Sequence, residues 1–554
     1  MLARRYTRHA MTDSFELREL VLGDVLARQA GRRGDKVFLT ELATGRTWTY
    51  RQLDAWSDRV AQALRAAGAE KGMHVGVLMG NSAEHLALFF AIGKLGAVSV
   101  PVNTAARGDL LRYYFDHADA RFVVADEDLA PRLAEVLPQL PLVQRVLVAG
   151  RHGEPAAPAS LLALGAAAED LSACIAAAPS GKPGTPVKCS DLLMLCFTSG
   201  TTGPSKASML PHAAALTYGT SAAQAQGYRE SDVFYVCLPL FHNNALLASM
   251  AAALVCGGSV VLSERFSVSR FLAEIRASGA TITNFLGAMS EFLWSQPAGP
   301  DDRNHALRLV SMSPTPRHAA QFEERFGLRV MSNYGLSDFG TVTAFVPGSA
   351  PPAKLGSIGK ARAVFELKVV DDDDFECPRG VVGELVIRAK EPWRAATGYY
   401  KMPEQTLAAH RNQWFHTGDR AYEDADGYFW FVDRKKDCIR RRGENISAFE
   451  VEQALLTHPQ VANAAVFPVA TPENDEEVGA CIVLREGATV DEAGLVAHCA
   501  ANMAYFMVPR YIQLLPELPT TVNQKVEKFK LKQALDADVS QAWDREQAGI
   551  KLQR

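Results

Sequence analysis

The sequence predicts an α/β fold with parallel sheets, spread over more than one domain. Apolar, β-rich runs alternate with helix-length amphipathic segments: residues 75–79, then 83–95, then 97–102, then 107–118, then 122–125. Such alternation argues for strands joined by crossover helices. The chain's 554 residues exceed what one hydrophobic core usually supports, so two or more domains are expected. An apolar content of 48% is ample for that burial.

Along the chain, residues 1–18 are expected to be a disordered extension; the first ten carry three arginines and no acid and precede a second methionine, Met11. Residues 151–188 shift to Ala, Pro, Gly and Ser without periodicity and predict a surface insertion. The uncharged stretch 245–262 is mostly alanine and breaks at Gly257-Gly258, which predicts a buried helix turning into a buried strand rather than a membrane span. Asp371 to Asp374 lie between two apolar runs where a hairpin turn is wanted, and four adjacent carboxylates repel one another, so a solvated turn is expected.

A formal net charge of −4 gives no electrostatic footprint for nucleic acid or for an anionic membrane. The nine cysteines include no CxxC pair and no Cys/His cluster at zinc-ligand spacing, and read as reduced core residues of a cytoplasmic protein.

The segment with the most chemistry is Thr198-Ser199-Gly200-Thr201-Thr202-Gly203-Pro204-Ser205-Lys206, which follows the apolar run 192–197. Small hydroxyl residues and glycines leave backbone N–H groups uncovered to converge on an anion, with a lysine at the exit. The Walker-type loop needs four residues between its glycines and a Lys-Ser or Lys-Thr after the second. Here two residues separate Gly200 from Gly203, and Ala207 follows Lys206, so a P-loop NTPase is disfavoured.

This loop resembles the signature of the adenylate-forming superfamily, which holds acyl-CoA synthetases, stand-alone adenylation domains and firefly-type luciferases. The resemblance spans roughly residues 20 to 535 and recurs, in the family's order, further along the chain. Its wording is most similar to carnitine/crotonobetaine-type acyl-CoA ligases. It implies a large N-terminal domain over 19–432 of stacked sheets, flanking helices and a β-rich module, a hinge at 433–437 centred on Lys436, and a small mobile α+β C-terminal domain over 438–554.

The resemblance also implies roles for particular residues. Thr198 to Gly203 and Lys206 bind the phosphates of ATP. Ser313, Pro314 and Thr315 stand where the family has a glycine-rich adenine loop. Asn333-Tyr334-Gly335-Leu336-Ser337-Asp338 resembles the Tyr-Gly-x-Thr-Glu motif, in which the aromatic ring stacks on adenine, the hydroxyl contacts the phosphate region and the acid holds Mg²⁺; here the hydroxyl is Ser337 and the acid Asp338. Asp419, in Thr417-Gly418-Asp419, is implied to accept hydrogen bonds from both ribose hydroxyls, and two acceptor oxygens suit a vicinal diol. Arg434 is implied to contact the nucleotide. Lys525 is implied as the catalytic lysine that neutralises charge building on the α-phosphate.

For the acyl group, His242, Asn243 and Asn244 follow Pro239-Leu240-Phe241 and are implied at the acyl pocket, with His242 at the carboxylate end. Phe285, Gly287 and Ala288 are expected to form another wall with room for a long or bulky chain. No acidic residue marks an amine pocket in these stretches. Arg441, Arg442, Gly443 and Glu444 resemble the segment lining the tunnel for CoA.

The implied reaction is attack of a carboxylate on ATP to give an acyl-adenylate and pyrophosphate, then capture by the thiol of CoA to give acyl-CoA and AMP. An adenylating enzyme that loads a carrier protein shares every nucleotide motif and stays open, as does a non-catalytic acyl- or nucleotide-binding homologue. The sequence also leaves a homodimer open.

Overall fold

The structure is a computed structural model that describes residues 15–552 except 166–167, 199–204, 314, 317, 346–351, 435–437, 442–443, 471–475, 504 and 521–525. Its contacts divide it into two compact units. Of the described residues, the larger takes in those up to Glu366 and the segment Ala389–Ala408; the smaller takes in Leu367–Arg388 and those from Ala409 onward. It is a mixed α/β architecture with a large N-terminal and a small C-terminal part.

In the larger unit the described residues form one nine-stranded and one seven-stranded sheet. The expected alternation is present. Strands His74–Leu78, Val98–Pro101 and Phe122–Asp126 pair in parallel in the seven-stranded sheet, with helices Ala83–Leu95 and Gly108–His117 as the crossovers. Helix Ala83–Leu95 is buried at every position but Lys94, so it is covered nearly all round. It starts where Ser82 Oγ accepts the His85 N–H at 3.1 Å and stops at Gly96, whose φ is +71°.

The nine-stranded sheet carries the strands that matter most for function. Val233–Val236, Ile282–Leu286, Leu309–Ser313 and Arg329–Leu336 lie side by side and parallel, with Leu286 opposite Ser313 and Met312 opposite Ser332. All their carboxyl ends therefore point to one edge, the place where open α/β sheets bind ligands. Residues 245–262 form a π-helical turn, Asn244–Met250, then helix Ala251–Cys256 and strand Ser259–Leu262, all largely buried.

Residues 151–188 are mostly exposed and carry secondary structure of their own. They include helix Pro158–Leu164, strand Ala168–Asp170 and helix Leu171–Ala177, and the strand pairs in parallel with Arg145–Ala149 at the edge of the seven-stranded sheet. Asp170 explains the order. Its Oδ1 caps the second helix through the Ala173 N–H at 2.6 Å, and its Oδ2 accepts the Ala156 N–H at 2.5 Å. A single capping side chain organises a stretch whose composition carries no period.

The smaller unit contains a five-stranded sheet built around Gly383–Ala389, Trp414–Glu423 and Phe429–Arg434, and a four-stranded sheet led by the long hairpin Val461–Ala470 and Glu476–Leu484. Ile439, Val451, Val466, Ile482, Leu495 and Ile512 form its buried core. Asp371 to Asp374 make the expected turn: Asp371 Oδ1 accepts the N–H groups of Asp373 and Phe375 at 3.0 and 2.9 Å, and Asp374 has φ +67°.

Helix His212–Gln226 is held against helix Ala251–Cys256 by a close approach at Gly219, where a Cβ would meet the Ala251 carbonyl carbon at 2.7 Å. Gly219→Val is expected to lower stability by about 1–3 kcal/mol in urea unfolding through overpacking. Gly31→Ala, in helix Leu22–Arg33 with nothing within 4 Å of the new methyl, should raise it by about 0.5–1 kcal/mol. Equal effects of one sign would show that helix propensity, not the close approach, decides both.

Candidate active site

The loop that begins at Thr198 closes an antiparallel hairpin between strands Leu192–Phe197 and Ala207–Pro211, with Phe197 opposite Ala207. At its base the Thr198 N–H donates to the Lys206 carbonyl at 2.8 Å, and Thr198 Oγ1 donates to the same carbonyl at 3.3 Å. Ser199, Gly200, Thr201, Thr202 and Gly203 lie outside the described residues. Lys206 places its ammonium 4.7 Å from the centroid of the Tyr399 ring, a cation–π contact.

One step further along that strand, Ser208 Oγ donates to Asp338 Oδ1 at 2.9 Å. Ser208 is fully buried and Asp338 is 7% exposed. The Tyr399 hydroxyl also hydrogen-bonds Asp338, and burial together with the Asp338 charge raises the phenol's pKa. Asp338 in turn accepts the Ala396 N–H on its backbone carbonyl at 2.7 Å. The phosphate-loop hairpin of one sheet is thereby tied to the segment that follows Arg329–Leu336 in the other.

That segment is itself tightly specified. A Cβ at Gly335 would meet the Gly340 carbonyl oxygen at 2.4 Å, so only glycine permits the turn-back onto strand Gly340–Ala344. The Tyr334 N–H donates to Thr343 Oγ1 at 3.2 Å, and Tyr334 is 9% exposed. Tyr218, from helix His212–Gln226, donates to the Leu336 and Ser337 carbonyls at 3.0 and 2.6 Å and accepts from Asn243 Nδ2 at 3.2 Å. Beneath them, burial and the nearby Asp338 charge push the Cys196 thiol up to about 12 against hydrogen bonds from Ser337 and Asn243, so it stays protonated.

His242 follows the turn Pro239–His242, and its carbonyl accepts the Leu246 N–H at 3.0 Å as the π-helical turn begins. Its ring packs 4.5 Å from that of Phe241. Asn244 Oδ1 accepts from Asn284 Nδ2 at 3.0 Å, and Asn333 Nδ2 donates to Ser311 Oγ at 2.6 Å. Phe285 joins an aromatic cluster with Phe271, ring centroids 5.2 Å apart. Ser313 ends its strand, Thr315 Oγ1 reaches the Met312 carbonyl at 3.4 Å, and Gly287 and Ala288 open helix Gly287–Trp294. Pro314 is outside the described residues.

Between these elements lies a cavity of about 40 Å³ lined by Tyr228, Asn244, Asn284, Ser311, Asn333 and Thr341, with Phe285 on one side. Asn284 and Asn244, both on its wall, hydrogen-bond each other.

In the smaller unit, Asp419 and Arg434 stand directly opposite each other on adjacent antiparallel strands. Asp419 is 8% exposed, and its N–H donates to Thr417 Oγ1 at 3.0 Å; Gly418, with φ +72°, donates to Glu384 Oε1 at 3.0 Å. The turn is pinned before any nucleotide arrives. Arg441 departs from expectation: it is 5% exposed, its Nε pairs with Glu477 at 2.6 Å, and its Nη1 donates to the Phe506 carbonyl at 2.8 Å. Its guanidinium is engaged inside the fold. Glu444 opens strand Glu444–Ser447; Lys436, Arg442, Gly443 and Lys525 lie outside the described residues.

Sequence reasoning missed Ser208, Tyr399, Tyr218 and Asn284. A lone hydroxyl in the apolar run Ala207–Pro211 was the available signal for Ser208; Asn284 stands next to Phe285 in a stretch already singled out, while Tyr218 and Tyr399 belong to no motif.

A parallel-sheet edge, a hydroxyl-rich loop and a buried acid beside it define a nucleotide-handling α/β enzyme. The AMP-binding enzyme family matches residues 26–400, and the AMP-binding enzyme C-terminal domain matches 450–525. The chain belongs to the AMP-binding enzyme family. The crotonobetaine/carnitine–CoA ligase of Proteus mirabilis is 30% identical over 92% of this chain and 98% of that protein, and its namesake from Citrobacter koseri is 29% identical over the same shares. Among solved structures, the anthranilate CoA ligase AuaEII in complex with anthranoyl-AMP gives a TM-score of 0.84 at 27% identity, covering 95% of this chain and 99% of that one. ATP-bound MatB from Rhodopseudomonas palustris gives 0.83 at 25% identity, covering 93% and 99%.

Ser208→Ala leaves the buried Asp338 carboxylate without its serine donor. It is expected to cost about 1–3 kcal/mol of stability in urea unfolding; an unchanged midpoint would show that this bond does not hold the two sheets together.

Proposed function

We propose that the residues converging on the sheet edge activate a carboxylic acid at the expense of ATP and hand it to a thiol. The chain is an ATP-dependent, AMP-forming acyl-CoA ligase: acid and ATP give acyl-adenylate and pyrophosphate, then CoA gives acyl-CoA and AMP. The observation that carries the residue assignment is the bond from Ser208 to Asp338, which holds the motif's acid against the strand leaving the phosphate loop.

In the adenylation half, loop residues Thr198 to Gly203 offer backbone N–H groups to the phosphates, and Lys206 adds charge beside them. Tyr334 faces the adenine and Asn333, Ser337 and Thr315 flank it, while Asp419 accepts from the ribose diol and Arg434, its cross-strand neighbour, reaches the nucleotide. His242 orients the acid's carboxylate. Lys525 balances the negative charge that grows as the carboxylate oxygen bonds the α-phosphorus and the bond to pyrophosphate breaks. Nothing here requires covalent attachment to the protein; positioning and charge neutralisation suffice.

Mg²⁺ fits the donor set at Asp338, a hard carboxylate fixed by Ser208 and Tyr399, because Mg²⁺ usually takes one or two protein carboxylates together with substrate phosphates. Bound there it supplies charge neutralisation for the departing pyrophosphate.

In the thioester half, the thiol attacks the acyl carbonyl and AMP leaves. Arg442, Gly443 and Glu444 line the path of the CoA arm, where glycine leaves room for a thin thiol chain; Arg441, engaged by Glu477, supports that segment from within. The two halves need different groups at one site, which supports a mobile domain over 438–554 turning about Lys436. Among the described residues no helix is long and apolar enough to cross a membrane, and the described cysteines are free; both support a cytoplasmic location.

Pyrophosphate release with ATP and Mg²⁺, measured across a panel of acids with and without CoA, tests the reading; release with formation of AMP and acyl-CoA only when CoA is present is expected, and adenylate without a CoA product would favour a carrier protein as acceptor. Lys525→Ala is expected to reduce pyrophosphate release at least about a hundredfold while a preformed acyl-adenylate is still converted to thioester. Gly443→Leu should do the reverse, and equal loss of both half-reactions in either variant would sink its assignment.

A further inference from the structure

Glu384 is a buried acid to which the nucleotide reading gives no task. It belongs to strand Gly383–Ala389, which runs antiparallel to Trp414–Glu423. Glu384 stands opposite Arg420, and Val386 stands opposite His416, so the single residue Leu385 faces Thr417, Gly418 and Asp419 together. The surplus residues push this turn out of the ladder on that side, whereas on the other side Asp419 keeps its place opposite Arg434. A bulge of this kind re-aims a side chain, and the direction it takes depends on what holds the bulge.

The holding groups come from the facing strand. Glu384 Oε1 accepts the Gly418 N–H at 3.0 Å, and the Leu385 carbonyl accepts from Thr417 Oγ1 at 2.7 Å. Thr417 Oγ1 in turn accepts the Asp419 N–H at 3.0 Å. Gly418, at φ +72°, is in the left-handed region, and its N–H meets a side-chain oxygen instead of a ladder carbonyl. A carboxylate accepting from a backbone N–H makes a stronger bond than a neutral acceptor does.

Glu384 is held from behind as well. Its Oε2 lies 3.3 Å from His416 Nδ1, and the far nitrogen of that imidazole, Nε2, lies 3.7 Å from Asp374 Oδ1. Arg411 Nη2 reaches Asp374 Oδ1 at 2.8 Å and His416 Nδ1 at 3.1 Å, and Asn412 Nδ2 donates to Asp374 Oδ2 at 2.7 Å. Asp374, the last carboxylate of the 371–374 turn, thus anchors a chain of contacts that runs through His416 to Glu384 and on to Gly418. All of these residues belong to the smaller unit.

We propose that Glu384 is a positioning residue for nucleotide binding: it acts through the Gly418 N–H to aim the Asp419 carboxylate at the ribose diol, and the His416, Arg411 and Asp374 side chains hold it in place to do so. The proposal rests on the reading of Asp419 given above. One carboxylate serves two neighbouring hydroxyls only when both of its oxygens face them, and a turn that swings away loses the pair of bonds together. The bond to Gly418 removes that freedom before the nucleotide binds.

The test is calorimetric binding of AMP, and of its dideoxyribose analogue that lacks both hydroxyls, to the full-length protein; it requires no knowledge of the acid. The wild-type protein is expected to prefer AMP by about tenfold or more, and Asp419→Ala to abolish that preference. Glu384→Ala is expected to shrink the preference by about fivefold or more, and Glu384→Gln to retain it, because the amide oxygen accepts the same N–H. A merely structural Glu384 would weaken both ligands alike, so a wild-type ratio in Glu384→Ala overturns the proposal, as does an equal loss in Glu384→Gln. If Asp419→Ala leaves the ratio unmoved, it is the ribose reading that fails. Should Glu384→Ala not fold, Glu384→Asp, which keeps the charge and shortens the reach, decides in its place: an unmoved ratio overturns the proposal.

Discussion

The hydrogen bond from Ser208 to Asp338 is the constraint on which the larger unit's site depends. Each sheet delivers one of the two segments that meet here: the hairpin whose loop begins at Thr198 belongs to the seven-stranded sheet, and the Tyr334-to-Asp338 segment belongs to the nine-stranded one. The two stand at a fixed distance. A 2.9 Å contact between a fully buried hydroxyl and a nearly buried carboxylate sets that distance, and the low local dielectric makes it stronger than the same contact in water.

Around that contact, polarity is used to fix loops rather than to solvate them. Tyr218 reaches from a buried helix to two consecutive carbonyls at the end of strand Arg329–Leu336, and Asn243 holds the phenol from the other side. The same helix is brought close by the absence of a side chain at Gly219. Backbone packing, a phenol and an amide thus determine where Ser337 and Asp338 stand, and Gly335 allows the chain to double back immediately beyond them. The protonated Cys196 thiol beneath adds bulk without adding a charge that would compete with Asp338.

Much of this was legible in the sequence because it is local. Alternating apolar runs specify parallel strands and crossover helices, and the loop, the Tyr334 segment and the Thr417-Gly418-Asp419 turn are each contiguous stretches with their own chemistry. What the sequence hid is long-range or masked by composition. Ser208 and Asp338 are 130 residues apart, and their partnership is decided by two sheets meeting. The strand and helices within 151–188 hang on the capping of Asp170, which an alanine-rich background conceals. Arg441 reads as an exposed basic residue beside arginines, yet Glu477, on the long hairpin of the C-terminal core, draws it inside.

Nucleotide and acyl recognition place opposite demands on the same sheet edge. Phosphates, ribose and adenine are constant, so their partners sit in tight turns and buried hydrogen bonds that admit little variation. The acyl group is what differs between enzymes of one architecture; the small cavity here is walled in part by side chains from strands Ile282–Leu286, Leu309–Ser313 and Arg329–Leu336. Changing Asn284, Ser311 or Asn333 alters pocket chemistry without moving the backbone that holds Asp338. A relative 30% identical over 92% of the chain therefore shares the machinery and need not share the acid.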